Sequence, residues 1–201
     1  LADEPKYLSL GAYGDGYDFF TLKGAVETVL DGLRIPAARY VADRTNPSYH
    51  PGRCAKVYVG EKCLGTLGQV HPHVAANYGV DCELYAAELD FAALLSVMGP
   101  DPVYRPLPRF PAVSRDIAVI CDKAIPVGDL EDCVRRGAKG LLKAVELFDI
   151  YTGIGVPEGK KSVAFRLTLR SDDRSLTAEE ADADVKSILT ALEQECGAVL
   201  R

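Results

Sequence analysis

The chain has 201 residues, 48% hydrophobic and 26% charged, with a formal net charge of −6 at pH 7. This is the composition of an ordinary globular protein, long enough for one large domain or two small ones. The acidic balance speaks against nucleic-acid binding through bulk electrostatics, so a basic patch would have to be local.

No apolar run approaches the ~20 residues that cross a bilayer, and no membrane partner is expected. The opening LADEPKYLSLGAYGDG lacks the basic-then-apolar layout of a secretory signal, and it lacks an initiator Met. The expectation is a fragment or a processed form of a cytoplasmic protein. The six cysteines (Cys54, Cys63, Cys82, Cys121, Cys133, Cys196) are scattered, and without an export signal they read as reduced, mostly buried thiols.

Along the chain, GAYGDGYDFF (11–20) reads as a loop. FFTLKGAVETVLDGL (19–33) predicts an amphipathic helix, because Leu22, Val26, Leu30 and Leu33 fall on one stripe. An extended stretch follows at RYVAD (39–43), then a polar loop, RTNPSYHPG. CAKVYV and KCLGTLGQV predict a hairpin turning at Gly60-Glu61, where Gly suits a tight two-residue loop. A short helix follows His71-Pro72, ELYAAELD (83–90) is a strand, and Asp90 is placed to cap a helix over FAALLSVM.

The stretch from His50 to His73 contains all three histidines and two cysteines, so a zinc site has to be weighed there. With the turn at Gly60-Glu61, Cys54 faces Leu67 and Cys63 faces Tyr58. The two cysteines then share a face but lie four ladder positions apart, ~13 Å at ~3.3 Å per residue. That is too far for one metal or for a disulfide. His50-Pro51-Gly52 and His71-Pro72 read instead as turns flanking the hairpin, and no metal site is expected.

GPDPVYRPLPRFP (99–111) has five prolines in thirteen residues, which excludes helix and interior strand and predicts an extended linker. Beyond it, SRDIAVICD (114–122) alternates as a strand, and VGDLEDCVRRGAK places Leu130, Cys133, Val134 and Gly137 on one helical face. LLKAVELFDIY is a second strand. In KSVAFRLTLRS, Val163, Phe165, Leu167 and Leu169 alternate with Ser162, Ala164, Arg166, Thr168 and Arg170, giving one apolar and one polar, basic face. Thr177 and Glu180 form a capping-box pattern that opens a helix with a stripe of Val185, Ile188, Leu189, Leu192 and Cys196. AVLR closes as a short strand. The order βαββαβ is the ferredoxin-like plan. Both helices should cover the apolar face and leave the Arg166/Arg170 face open.

FPAVSRDIAVICD, VELFDIYTG, GKKSVAFRLTLRSDDRSLTAEE and the closing GAVLR resemble the C-terminal anticodon-binding domain of phenylalanyl-tRNA synthetase β chains, bacterial rather than eukaryotic in wording. YDFFTLKGAVETVL, SYHPGRCAKVYV and GTLGQVHPHVA resemble the synthetase-like module just upstream of it. The resemblance implies an α+β fold in which a partial class II synthetase-like antiparallel sheet (1–98) precedes a Pro-rich linker (99–111) and a ferredoxin-like βαββαβ anticodon-binding domain (107–201). It further implies a catalytically silent part of the enzyme that joins phenylalanine to its tRNA. The partners would be phenylalanine tRNA and an α subunit, in an α2β2 assembly. No cofactor is expected within this stretch, and ATP and magnesium would be used elsewhere in the enzyme. The residues agree with silence, since a class II site needs phosphate-clamping arginines and GAYGDGYDFF has glycines without one.

An anticodon-binding surface needs cations for phosphates and platforms for unpaired bases. Arg166, Arg170, Lys160 and Lys161 are candidates for the first, and Ser162 and Thr168 for hydrogen bonds to bases or riboses. Phe148 and Tyr151 are candidates for stacking. Arg115 is a phosphate contact or, preferentially, half of an internal ion pair. Arginines on a sheet face are often merely solvated, and residues 107–201 carry 14 Lys and Arg against 16 Asp and Glu. Binding should therefore be weak and salt-sensitive. Unlike the common RNA-recognition sheet, the third strand shows no outward aromatic residue. Two other readings stand beside this one: a small-molecule-binding ferredoxin-like regulatory domain, and a purely structural assembly module.

Overall fold

The computed structural model of the protein describes residues 4–35, 38–104 and 106–201. The chain divides into two compact units, residues 1–103 and 104–201. Each is an α+β unit with one antiparallel sheet. The described residues of 99–112 form neither helix nor strand, and Arg105 lies outside the described residues.

The first unit contains β1 (Tyr7–Tyr13), α1 (Phe19–Gly32), β2 (Arg39–Ala42), β3 (Tyr49–Val59), β4 (Lys62–Val70), α2 (Pro72–Asn77), β5 (Leu84–Asp90) and α3 (Phe91–Val97). Its sheet runs β1-β5-β4-β3-β2, antiparallel throughout. Asp18 starts α1 by accepting from the Thr21 amide at 2.7 Å, and Leu22, Val26 and Leu30 are buried as the stripe predicts. They share one core with Val57, Leu64, Leu67, Tyr85 and Leu89. Full burial of each such side chain stabilises the unit by about 1.5–3 kcal/mol. Asp90 caps α3 through the Ala93 amide at 2.9 Å, as expected.

Three local expectations are corrected here. Part of the region read as a loop at 11–20 is strand: β1 runs to Tyr13, with Leu8 and Leu10 packed against the core, and the chain turns only at Gly14 and Gly16. The hairpin turns at Gly60-Glu61 as predicted, but a bulge at Leu64 shifts the register, so Cys54 opposes Gly68 rather than Leu67. Cys54 is consequently buried while Cys63 is exposed. Gly65 makes that bulge possible, with φ +152°, and a Cβ there would lie 2.1 Å from the Glu88 carbonyl oxygen. Third, His50, Pro51 and Gly52 belong to β3, in an irregular stretch where the register shifts between Tyr49 and Cys54. His71 does lead out of the hairpin, and its Nδ1 caps α2 by accepting from the His73 amide at 3.2 Å.

The second unit contains β6 (Val113–Asp122), α4 (Val127–Gly137), β7 (Leu142–Tyr151), β8 (Lys160–Leu169), α5 (Ala178–Cys196) and β9 (Val199–Leu200). The sheet order β7-β8-β6-β9 is that of the ferredoxin-like plan. Leu130, Cys133 and Val134 of α4 join Ile188 and Leu192 of α5 against Ile117, Val119, Val163, Phe165 and Leu167. Both helices thus cover the odd-numbered face of β6 and β8. Thr177 and Glu180 form the predicted capping box, and Gly197 ends α5 in the left-handed conformation.

Candidate nucleic-acid interface

The face of the second sheet opposite the helices is built by strand parity. From β8 it receives Ser162, Ala164, Arg166 and Thr168, and from β6 Ser114, Asp116, Ala118 and Ile120. From β7 it receives Ala144, Glu146, Asp149 and Tyr151, which oppose the same β8 residues from the other side. Phe148 is the extra residue of a bulge between Leu147 and Asp149.

Arg166 and Asp116 are direct cross-strand partners and meet as a two-pronged pair, Nε and Nη2 donating to Oδ1 and Oδ2 at 2.9 Å each. The hydrogen bonds from Arg166 hold the Asp116 carboxyl below its usual range, and those to Asp116 raise the guanidinium in turn. Arg166 also lies over the Phe148 ring, 5.4 Å from its centroid. At the far end of β7, Arg201 lies 5.5 Å over the Tyr151 ring. The face therefore carries two arginine–aromatic pairs, while the three charges of Asp116, Glu146 and Asp149 outweigh the two of Arg166 and Arg201. It is not a basic surface.

The remaining predicted residues divide sharply. Lys160 stands beside Asp122, 3.9 Å away, at the edge of the open face. Thr168 is half-buried between Ser114 and Ala144 in register. Lys161 as an accessible phosphate contact is corrected: it has the parity of the apolar face, is 8% exposed, and its Nζ donates to the Ile125 carbonyl. Ser162 has the predicted outward parity but is 3% exposed, flanked in register by the larger Tyr151 and Ile120. Arg170 lies just beyond β8 and is half-buried, its buried Nε 3.8 Å from Asp172. Arg115 forms an ion pair, with Asp182 of α5 at 2.8 Å. The sequence reading missed Asp116 as the clamp on Arg166, and Arg201 as the partner of Tyr151. The outward parity of Asp116 in SRDIAVICD was the available signal.

Residues 108–201 match the family described as the ferredoxin-fold anticodon binding domain, and residues 1–91 match the phenylalanyl tRNA synthetase beta chain CLM domain. The chain belongs to the phenylalanyl-tRNA synthetase β-chain family. It is similar over its whole length to the phenylalanine–tRNA ligase beta subunits of Clostridium tetani (39% identical, 25% of that protein) and Clostridium acetobutylicum (38%, 25%). It is also similar to the beta subunit of Symbiobacterium thermophilum, 43% identical over the whole chain and 24% of the relative. The chain thus spans about a quarter of the length of these β subunits. Every candidate residue named above falls inside the anticodon-binding match. No helix among the described residues is long and apolar enough to cross a membrane.

Proposed function

We propose that the chain serves as a non-catalytic part of a phenylalanine–tRNA ligase β subunit, in which residues 108–201 contact the anticodon region of phenylalanine tRNA and residues 1–98 brace the α subunit of an α2β2 enzyme. In this reading the ATP and magnesium of the reaction are handled outside these residues. The observation that carries it is the helix-free sheet face with Phe148 and Tyr151, each under an arginine. Unpaired anticodon bases can stack on such rings and guanidinium planes without a strongly basic groove. Arg166 stays oriented by Asp116, so it acts as a flat stacking surface more than as a free phosphate-binding charge.

The test is fluorescence anisotropy of the whole chain at low salt, with a labelled anticodon stem-loop of phenylalanine tRNA and a stem-loop of unrelated anticodon as control. Phe148→Ala and Tyr151→Ala should each weaken binding about 5- to 150-fold, from ~1–3 kcal/mol per stacked base. Arg166→Ala/Arg170→Ala should act mainly through Arg166. Equal affinity for the two stem-loops, or no effect of either aromatic substitution, would remove the open face from the reading.

A further inference from the structure

The first unit holds a cavity of about 450 Å³ on the side of its sheet away from α1, a size that suits a small ligand. Two cross-strand pairs build it, Thr66 with Glu88 on β4 and β5, and Tyr7 with Asp90 on β1 and β5. Ser48 and Tyr49, at the start of β3, also line it. The neighbours of Glu88 along β5, Ala87 and Leu89, are buried in the core on the opposite side, so strand alternation fixes Glu88 toward the cavity.

The lining has two carboxylates and several hydroxyls, and no lysine, arginine or histidine. Asp90 is already engaged as the cap of α3. Glu88 has no hydrogen-bond or ion-pair partner among the described residues, and neither do the side-chain hydroxyls of Tyr7, Tyr49 and Thr66. Burial, and then the Glu88 charge, raise the Tyr49 phenol above its ordinary value, so it remains a neutral hydroxyl at physiological pH. Glu88 is exposed and Tyr49 and Thr66 are half-buried, so these acceptors line an open depression without a lysine, arginine or histidine, which repels phosphates and carboxylates and favours a positively charged donor.

We propose that this cavity binds the primary ammonium group of a small amine, with Glu88 as counter-ion and the hydroxyls of Tyr49 and Thr66 as further acceptors. An ammonium group brings three N–H donors and one charge, which these groups match; a quaternary ammonium brings the charge without the donors. The hydrocarbon tail lies along Tyr7 and Leu64. An α-amino acid is disfavoured, because no lysine, arginine or histidine in the lining offsets the charge of its carboxylate. This inference does not rest on the tRNA reading.

The experiment is a titration of the whole ¹⁵N-labelled chain followed by amide chemical shifts, using n-butylamine, with 1-butanol, norvaline and tetramethylammonium as comparisons. Saturable shifts centred on Tyr49, Thr66 and Glu88 are expected with butylamine, and Glu88→Gln should weaken them tenfold or more, as loss of a charge-assisted bond does. An equal response to butanol, or an unchanged affinity in Glu88→Gln, overturns the proposal. A measurement that leaves Glu88 intact uses Cys63, an exposed thiol on the cavity wall, in a Cys82→Ser background. A cationic methanethiosulfonate should modify it faster than an anionic one, and butylamine should slow that reaction. Equal rates for the two reagents, with no protection by butylamine, also overturn the proposal.

Discussion

Two phenylalanines on neighbouring strands, Phe165 and Phe148, should behave in opposite ways when truncated to alanine. Phe165 is fully buried beneath the helices, opposite Ile117 on one side and Leu147 on the other. Its loss leaves a cavity the size of a ring in a packed core and should cost about 3–5 kcal/mol. At about 1.4 kcal/mol per tenfold, amides of β6, β8 and α5 that exchange through unfolding of their unit should lose protection by roughly a hundred- to several-thousand-fold. Phe148 is 51% exposed and lies under the Arg166 guanidinium, a contact worth about 0.5–1 kcal/mol at an exposed site. Phe148→Ala should therefore change the same protection by less than about tenfold. Hydrogen-exchange mass spectrometry on the two variants reads both numbers. Comparable losses would refute the assignment of the two rings to opposite sides of the sheet, and with it the stacking surface.

Gly137 of α4 packs so closely on α5 that a Cβ would lie 2.8 Å from the Ala191 Cβ, whereas Gly128 has nothing within 4 Å. Gly128→Ala should raise the melting temperature, by about 0.4–1 kcal/mol of stability, and Gly137→Ala should lower it through ~1–3 kcal/mol of overpacking. The Glu180 carboxyl, held down to about 2 by its hydrogen bonds from Arg174 and then from the Thr177 amide, contributes stability above the ordinary carboxylate value of 4.5. That contribution fades as the pH falls toward 2, so the melting-temperature gap between the wild type and Glu180→Gln should narrow over the same window. Of the six thiols, Cys63 and Cys82 are exposed, while burial pushes Cys133 up to about 12. A thiol-exchange titration should show two fast cysteines in the native chain and six after denaturation. If the open face meets RNA, Asp116→Asn should release Arg166 and steepen the dependence of log affinity on log salt by about 0.7, the increment for one added phosphate contact on a single strand.

Repeating side-chain patterns were legible in the sequence because they are local. The stripe Leu22, Val26, Leu30, the alternation Val163 to Leu169 and the Thr177/Glu180 box each specify an element within a few residues, and each appears as expected. Strand β1 was missed although Leu8, Leu10 and Ala12 alternate, because the glycines beyond it dominated the reading. The bulges at Leu64 and Phe148 were not legible: an extra residue in a ladder depends on which strand lies alongside, and that strand is distant in sequence. The candidate site shows the same division. Alternation alone determined that Arg166 and Thr168 point away from the helices. Only the pairing of β6 with β8 decided that Arg166 is clamped by Asp116, fifty positions away, and that Ser162 lies too deep to offer its hydroxyl. Local order follows from the backbone period and is written in one stretch of chain. Charge neutralisation and depth are properties of neighbours, which only the folded sheet brings together.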